Sequence, residues 1–149
     1  MKFTAEREDI LAALQAAIGV VERRQTMPIL ANVLLSAKEN RLSVTATDLE
    51  VELVAQADIK SAADGAITVP GRKLLDICRS LPDKARITAA VDGERIQLRA
   101  GKSRFTLTTL PAAEFPVVDE INTQQTIDIP QADLKRLLDK THFSMAQQD

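Results

Sequence analysis

Apolar residues recur along this chain at two spacings. Ile10, Leu11, Leu14 and Ile18 fill one side of a 3.6-residue wheel, as do Leu74, Ile77, Cys78 and Leu81, and then Leu134, Leu137 and Leu138. Each set is one-sided, which predicts three helices that lie on a sheet. Between them the period falls to two. "RLSVTAT" at 41–47 alternates Leu42, Val44 and Ala46. The run 49–59 places Leu49, Val51, Leu53, Ala55, Ala57 and Ile59 on an inner face and Glu50, Glu52, Gln56 and Asp58 on the other. "NVLLSA" at 32–37 predicts a less regular strand, and "RITAAV" (86–91), "RIQLRA" (95–100) and "RFTLTTL" (104–110) predict three more. Asp92-Gly93 and Ala100-Gly101 supply tight turns between these three.

The pattern repeats. "ITVPGRKLLDI" at 67–77 and "IDIPQADLKRL" at 127–137 match at an offset of 60: Ile67, Val69, Pro70, Leu74 and Ile77 align with Ile127, Ile129, Pro130, Leu134 and Leu137. A weaker copy, "FTAEREDILAA", opens the chain, with Phe3, Ala5 and Ile10 in the corresponding places at an offset of 64. Each copy predicts a short strand that a proline or charged residue turns into a helix. Proline suits a first helical turn, where its missing N–H has no partner to lose. The order is strand, helix and three strands, twice over, which makes an α+β layer of antiparallel strands with helices on one face. Two such units, about 1–62 and 63–116, are expected side by side in one domain, followed by a linker, "PAAEFPVVDEINTQQT", at 111–126. A third round starts at 127 with a strand and stops after its helix, so the chain reads as cut from a longer one.

Composition narrows what this layer can do. A single cysteine, Cys78, excludes an internal disulfide framework and suits a reducing cytoplasm. No apolar run approaches the roughly 18 residues of a membrane span, and the first residues do not form a signal peptide. The expected location is cytoplasmic, with no membrane partner. Net charge is −2, so contact with nucleic acid must come through a local patch. Four Phe without Trp or Tyr argue against a binder that stacks single-stranded bases.

No catalytic residue, cofactor site or metal site is expected. His142 has no Cys or His at ligand spacing, and Cys78 sits on an apolar helix face as a small buried hydrophobe. "AGKS" at 100–103 lacks the earlier glycine of a phosphate loop, where Ile96 stands. Asp48, Glu50 and Glu52 share a strand face but diverge along it, which favours a solvated sheet face over a metal site. A small hydrolase or transferase stays open only through these carboxylates. The cations are better organised. Arg72 and Arg79 oppose the stripe around Leu74, while Lys135, Arg136 and Lys140 point away from the third stripe. Arg23 and Arg24 follow the first helix, and Arg99, Lys102 and Arg104 sit in the last hairpin, with Asp76, Asp83 and Asp139 interspersed. Such groups reach phosphates without reading bases.

"TMPILANVLL" (26–35), "TATDLEVE" (45–52), "TVPGRKLLDICRSLP" (68–82), "SRFTLTTLPAAEFP" (103–116) and "FSMAQQD" (143–149) together resemble the bacterial DNA polymerase III beta subunit family, the sliding clamps. The resemblance is collinear from Met1 to Asp149, and "TLPAAEFP" is its most specific segment. It implies a DNA-clamp fold in which 1–124 is the N-terminal domain and 125–149 the first strand and helix of a second. In the family, three such domains form each chain, and two chains close a homodimer ring around duplex DNA, with helices lining the hole. The implied function is DNA replication: a non-enzymatic processivity factor that tethers the replicative polymerase. By match to the family, Arg24, Arg72 and Gln148 contact DNA; Arg79 and Arg136 rest on the wheel alone. Lys73, Ile77, Lys102, Arg104, Phe105 and Leu107 match the ring-closing joint, where they meet the partner chain's third domain head to tail. Phe105 and Leu107 would anchor its apolar centre and the cations would face acids, although Ile77 also fits plain core. The family's pocket for polymerase and clamp-loader peptides lies beyond residue 149. The runner-up is a free-standing α+β interaction module that binds an acidic partner without encircling DNA.

Overall fold

The computed structural model describes residues 1–21, 27–116 and 125–145. The chain divides into two units, Met1–Val118 and Asp119–Asp149. The first begins β1 (Lys2–Glu6), α1 (Arg7–Ala17), β2 (Asn32–Lys38), β3 (Arg41–Thr47), β4 (Glu52–Asp58) and β5 (Lys60–Ala63). The same order then returns as β6 (Gly65–Pro70), α2 (Gly71–Ser80), β7 (Arg86–Asp92), β8 (Arg95–Ala100), β9 (Ser103–Thr108) and the two-residue β10 (Leu110–Pro111).

The two rounds are interlocked, which corrects the expectation of units side by side. One sheet runs β5-β1-β7-β8-β9 and the other β10-β6-β2-β3-β4, with all neighbours antiparallel. Each round therefore gives its first strand to the other round's three-strand meander. Phe3 lies opposite Ala89 and Ala5 opposite Ile87; in the second sheet Val33 lies opposite Val69 and Leu35 opposite Ile67. All eight side chains except Ile67 are buried, so the register follows the apolar face of each strand. Pro70 marks where β6 becomes α2. It occupies the cap position, one residue before the expected first turn, where its missing N–H again costs no helical bond.

α1 lies over β3 and β4 and packs against α2. It buries Ile10, Ala13, Leu14 and Ala17, while α2 buries Gly71, Leu74, Leu75 and Cys78. These join Leu42, Val44, Ile87 and Ile96 in one core spanning both sheets. A small second cluster, Ile29, Leu30 and Phe115 with Leu34 and Leu110, covers the opposite face of the second sheet. Between β6 and its neighbours, Asn32 Nδ2 donates to Thr68 Oγ1 at 2.9 Å, and Thr68 Oγ1 donates to the Leu110 carbonyl at 3.1 Å. That chain of bonds satisfies the buried Thr68 hydroxyl and ties β2, β6 and β10 together.

The turns show how local chemistry sets the strand ends. Glu39 and Asn40 both adopt left-handed φ (51° and 61°) between β2 and β3, the geometry of a type I′ hairpin. Gly93-Glu94 and Gly101-Lys102 form the later two, each with glycine at φ 56°. Asp92 and Ala100, expected in those turns, are the last residues of their strands. The predicted strand from 49 begins only at Glu52, and Leu49 and Val51 are exposed in the preceding turn. β5 and β10 have no alternation long enough to announce them.

In the second unit α3 (Gln131–Thr141) forms where the wheel places it, and Pro130 caps it as Pro70 caps α2. The strand expected at 127–129 is absent among the described residues, where 125–130 has no regular structure. An extended segment becomes a strand only by pairing its N–H and C=O groups with another strand. Leu134, Leu137 and Leu138 are all exposed.

A Cβ at Gly71 would lie 2.9 Å from the buried Val33 Cγ1 and 3.1 Å from Ile18 Cδ1, whereas one at Gly19 meets nothing within 4 Å. Gly71→Ala is therefore expected to destabilise the chain by about 1–3 kcal/mol through overpacking against a stiff β-branched neighbour. Gly19→Ala should stay within about 0.5 kcal/mol of the parent. Urea unfolding of both variants checks the pair; equal midpoints would show that α2 can move off β2 without cost.

Candidate functional site

Among the described residues β9 is the outer strand of its sheet, and no other described strand pairs with its free side. The Gly101-Lys102 turn delivers it, and its side chains alternate. Arg104, Thr106 and Thr108 are exposed, while Phe105 is half-buried and Leu107 buried, opposite Leu98 and Ile96 of β8. Four of the six residues matched to a joint (Lys102, Arg104, Phe105 and Leu107) thus share one hairpin arm. The other two lie on α2, four residues apart: Lys73 is exposed and Ile77 is half-buried against the core. Leu107 belongs to the core cluster and Phe105 packs on its rim, so the arm is anchored from inside while its cations face out.

The basic candidates divide by what they bond. Arg72 is exposed, yet its Nη2 donates to the Val21 carbonyl at 2.6 Å, which fixes the start of α2 to the end of the turn after α1. Arg79 is exposed in the last turn of α2, where a cation complements the helix dipole. On α3, Arg136 pairs with Asp133 at 3.4 Å and Lys135 with Asp139, so two of its three cations are offset by acids beside them. Arg23, Arg24 and Gln148 lie outside the described residues.

Residues weighed for catalysis take structural places. His142 is exposed in the single turn after α3. Asp48 is not on a strand face, as was expected; it closes the turn before β4, its Oδ1 accepting from the N–H groups of Val51 (2.7 Å) and Glu50 (3.0 Å). Those two N–H bonds hold its carboxyl below the usual aspartate range. Among the described residues no three His, Cys, Asp or Glu side chains are grouped to hold a metal ion. A cleft of about 200 Å³ between β1 and β5 mixes Glu6, Asp9 and Asp58 with Lys60 and Arg86. Arg86 pairs with Glu6 at 3.4 Å there, so opposite charges cancel instead of converging on a ligand.

One residue the sequence reading passed over organises this end of the molecule. Arg7, with 13% of its side chain exposed, donates from Nε to the Cys78 carbonyl at 2.8 Å and from Nη1 to Asp83 at 2.8 Å. It satisfies one of the orphan carbonyls at the C-terminus of α2 and binds that helix end to the start of α1. Glu8 completes the link by accepting the Lys84 N–H at 2.8 Å. Nothing in the pattern distinguishes Arg7 from a solvated charge, because its partners, the Cys78 carbonyl and Asp83, lie far along the chain.

Comparison with known proteins places this geometry. Residues 1–119 match the family model described as DNA polymerase III beta subunit, N-terminal domain. The beta sliding clamps of Pseudomonas putida and Vibrio cholerae are 53% and 50% identical to the chain over its whole length, which is 41% of theirs. The chain thus spans about two fifths of the length of the curated relatives it matches. Among solved structures, the sliding clamp (DNA polymerase III subunit beta) of Pseudomonas aeruginosa bound to griselimycin gives a TM-score of 0.95 at 52% identity. It is matched by 100% of this chain over 41% of its own length. The Caulobacter crescentus polymerase III beta structure gives 0.96 at 42% identity, with 100% and 40% covered.

Burial pushes the Cys78 thiol from 9.0 up to about 11, and the nearby Arg7 charge only partly opposes this. The folded chain therefore holds the thiol proton after the unfolded chain has lost it, so this contribution to stability is complete below pH 9 and is lost as pH rises toward 11. Denaturant midpoints measured from pH 8 to pH 11 are expected to fall more steeply for the parent than for Cys78→Ala. Parallel curves, or rapid alkylation of the native thiol at pH 8, would contradict that environment.

Proposed function

Because the chain belongs to the DNA polymerase III beta subunit family, we propose that it serves as the N-terminal part of a sliding clamp. In this reading the whole protein is a non-catalytic, cytoplasmic processivity factor. It encircles duplex DNA as a head-to-tail ring of two chains and tethers the replicative polymerase. The likeness to sliding clamps over the entire chain carries the reading, and the open, basic β9 arm supplies a physical means of closing a ring. A strand edge unpaired among the described residues, a half-exposed aromatic ring at Phe105 and the outward charges of Lys102 and Arg104 are what such a joint requires. Lys73 and Ile77 of α2 are assigned to the same joint.

Sliding sets an upper limit on DNA affinity. A ring held on by topology needs only enough phosphate contact to centre the duplex, and a dense cationic lining would slow it. A chain with net charge −2 suits that role. Arg24, Arg72 and Gln148 are assigned to the backbone contacts, without base readout. The polymerase and clamp loader are assigned to a pocket outside these residues. A free-standing module for an acidic partner is the less favoured alternative, since two of the three cations of α3 are already paired with acids of the same helix.

A chimera tests the proposal: this chain replaces the matching N-terminal segment of the Pseudomonas putida beta sliding clamp. Once loaded, it should stay on circular duplex DNA through a salt wash and be released when the circle is cut. Arg24→Ala and Gln148→Ala should weaken loading without changing the melting temperature. Arg104→Glu should shift the chimera from dimer to monomer. Retention that ignores linearisation would show binding without encirclement and overturn the reading.

A further inference from the structure

The β5-β1-β7-β8-β9 sheet turns one face to the core and a strongly basic face outward. Its five strands carry Lys2, Lys60, Arg86, Arg95, Arg99 and Arg104 on that outer face, against the acids Glu6 and Asp92. Arg86 pairs with Glu6 at 3.4 Å, and Asp92 lies opposite Arg95 at one end of the sheet. Among the described residues, Lys2, Lys60, Arg99 and Arg104 have no acid partner. Arg99 even lies directly opposite Arg104, and like charges so placed destabilise a strand pair.

A hollow of about 210 Å³ opens in the middle of this face, lined by Lys2, Thr88, Ala90, Gln97 and Arg99. Register explains it. Ala90 stands between Lys2 of β1 and Gln97 of β8, and its methyl group leaves the floor low between two long side chains. The polar groups around that floor can all donate. Arg99 Nη2 donates to Gln97 Oε1 at 3.4 Å, which occupies the amide oxygen and leaves the amide N–H groups free to donate. Thr88 Oγ1 lies 3.3 Å from Thr4 Oγ1; with Thr4 as donor, Thr88 keeps its own O–H for the hollow.

A site lined by donors and bare of carboxylates selects an anion that only accepts. Its donors arrive from three strands, so they suit oxygens that point in several directions, as on a tetrahedral phosphate, better than the two coplanar oxygens of a carboxylate. The Arg99 guanidinium and the Lys2 ammonium supply the fork and the point charge with which proteins commonly hold phosphate. The volume is below the roughly 300 Å³ at which pockets begin to enclose drug-sized ligands, so it takes the phosphates and leaves any attached group outside. We propose that this hollow binds a diphosphate group, either free as inorganic pyrophosphate or as the terminal phosphates of a nucleotide. The bound anion would also offset the repulsion between Arg99 and Arg104. The site shares no residue with the joint or the DNA contacts assigned above, so it stands or falls apart from them.

Titration of the 149-residue chain with inorganic pyrophosphate, followed by calorimetry and by amide NMR, tests this. Binding should saturate with one anion per chain, and the largest shifts should fall at Ala90, Gln97 and Arg99. Lys2→Gln and Arg99→Gln should each weaken it about tenfold or more, since each removes a charged donor. Thr88→Val should cost less. Lys60→Gln removes the same charge from the same face outside the hollow and should change affinity little. Lys2, Arg99 and Lys60 are exposed, and circular dichroism checks that each variant is folded. ATP binding as tightly as pyrophosphate, with the same shifts, identifies the free diphosphate as sufficient; tighter ATP binding with added shifts around the rim identifies a nucleotide. Titration without saturation, or an equal loss in Lys60→Gln, overturns the proposal. So does a thymidine oligonucleotide that binds more tightly than both and spreads its shifts over the whole face, which would mark a track for a polyanion.

Discussion

β1 finds its hydrogen-bonding partner in β7, beyond the whole of the second round's helix, and β6 finds its own back in β2. Neither round has a complete sheet without the other. Bringing β1 to β7 closes a long loop, whose entropy must be offset by contacts that exist only once both meanders are in place. Those contacts are the buried ones: Phe3 and Ala5 against Ile87 and Ala89 in one sheet, Val33 and Leu35 along β6 in the other. α1 and α2 then close over a core fed from both sides, and Arg7 fastens the end of α2 to the start of α1.

The same exchange fixes where the molecule is open. Each sheet gains an inner strand from the opposite round and a short guard, β5 or β10, on one side, leaving the last meander strand exposed on the other. The two open strands are related by the internal repeat, yet they differ in chemistry. β9 offers cations on a well-anchored arm; β4 offers acids and apolar side chains around the Asp48 turn. In the proposed clamp, function resides in the β9 edge and in a sparse basic surface.

The helices and the inner strands were legible because their periods are set by burial: Ile10 with Leu14, Leu74 with Cys78, and Leu42 with Val44 all face the core as their spacing predicts. The exchange of strands was not legible, since alternation fixes which face of a strand is buried and says nothing of its neighbour. The run from Leu49 misled because apolar alternation continues past the end of the core. There Asp48 and Thr47 override it with side-chain bonds to the backbone. The run at 127–129 shows the same limit, an alternating pattern without a strand among the described residues. Of the candidate site, the types and exposure of Lys102 and Arg104 were readable, but that they lie on an open edge follows only from the sheet order. Arg7 escaped because it bonds to a carbonyl remote in sequence, and for the same reason the bond from Arg72 to Val21 could not be read from its place on the wheel.

Native-state hydrogen exchange addresses the interlock most directly. If each round completes the other, amides of β1, β7, β6 and β2 must open in one event, with a common free energy equal to that of global unfolding. The same denaturant dependence is then expected at all four strands. Protection lost in one sheet well before the other would show two separable halves and contradict the account.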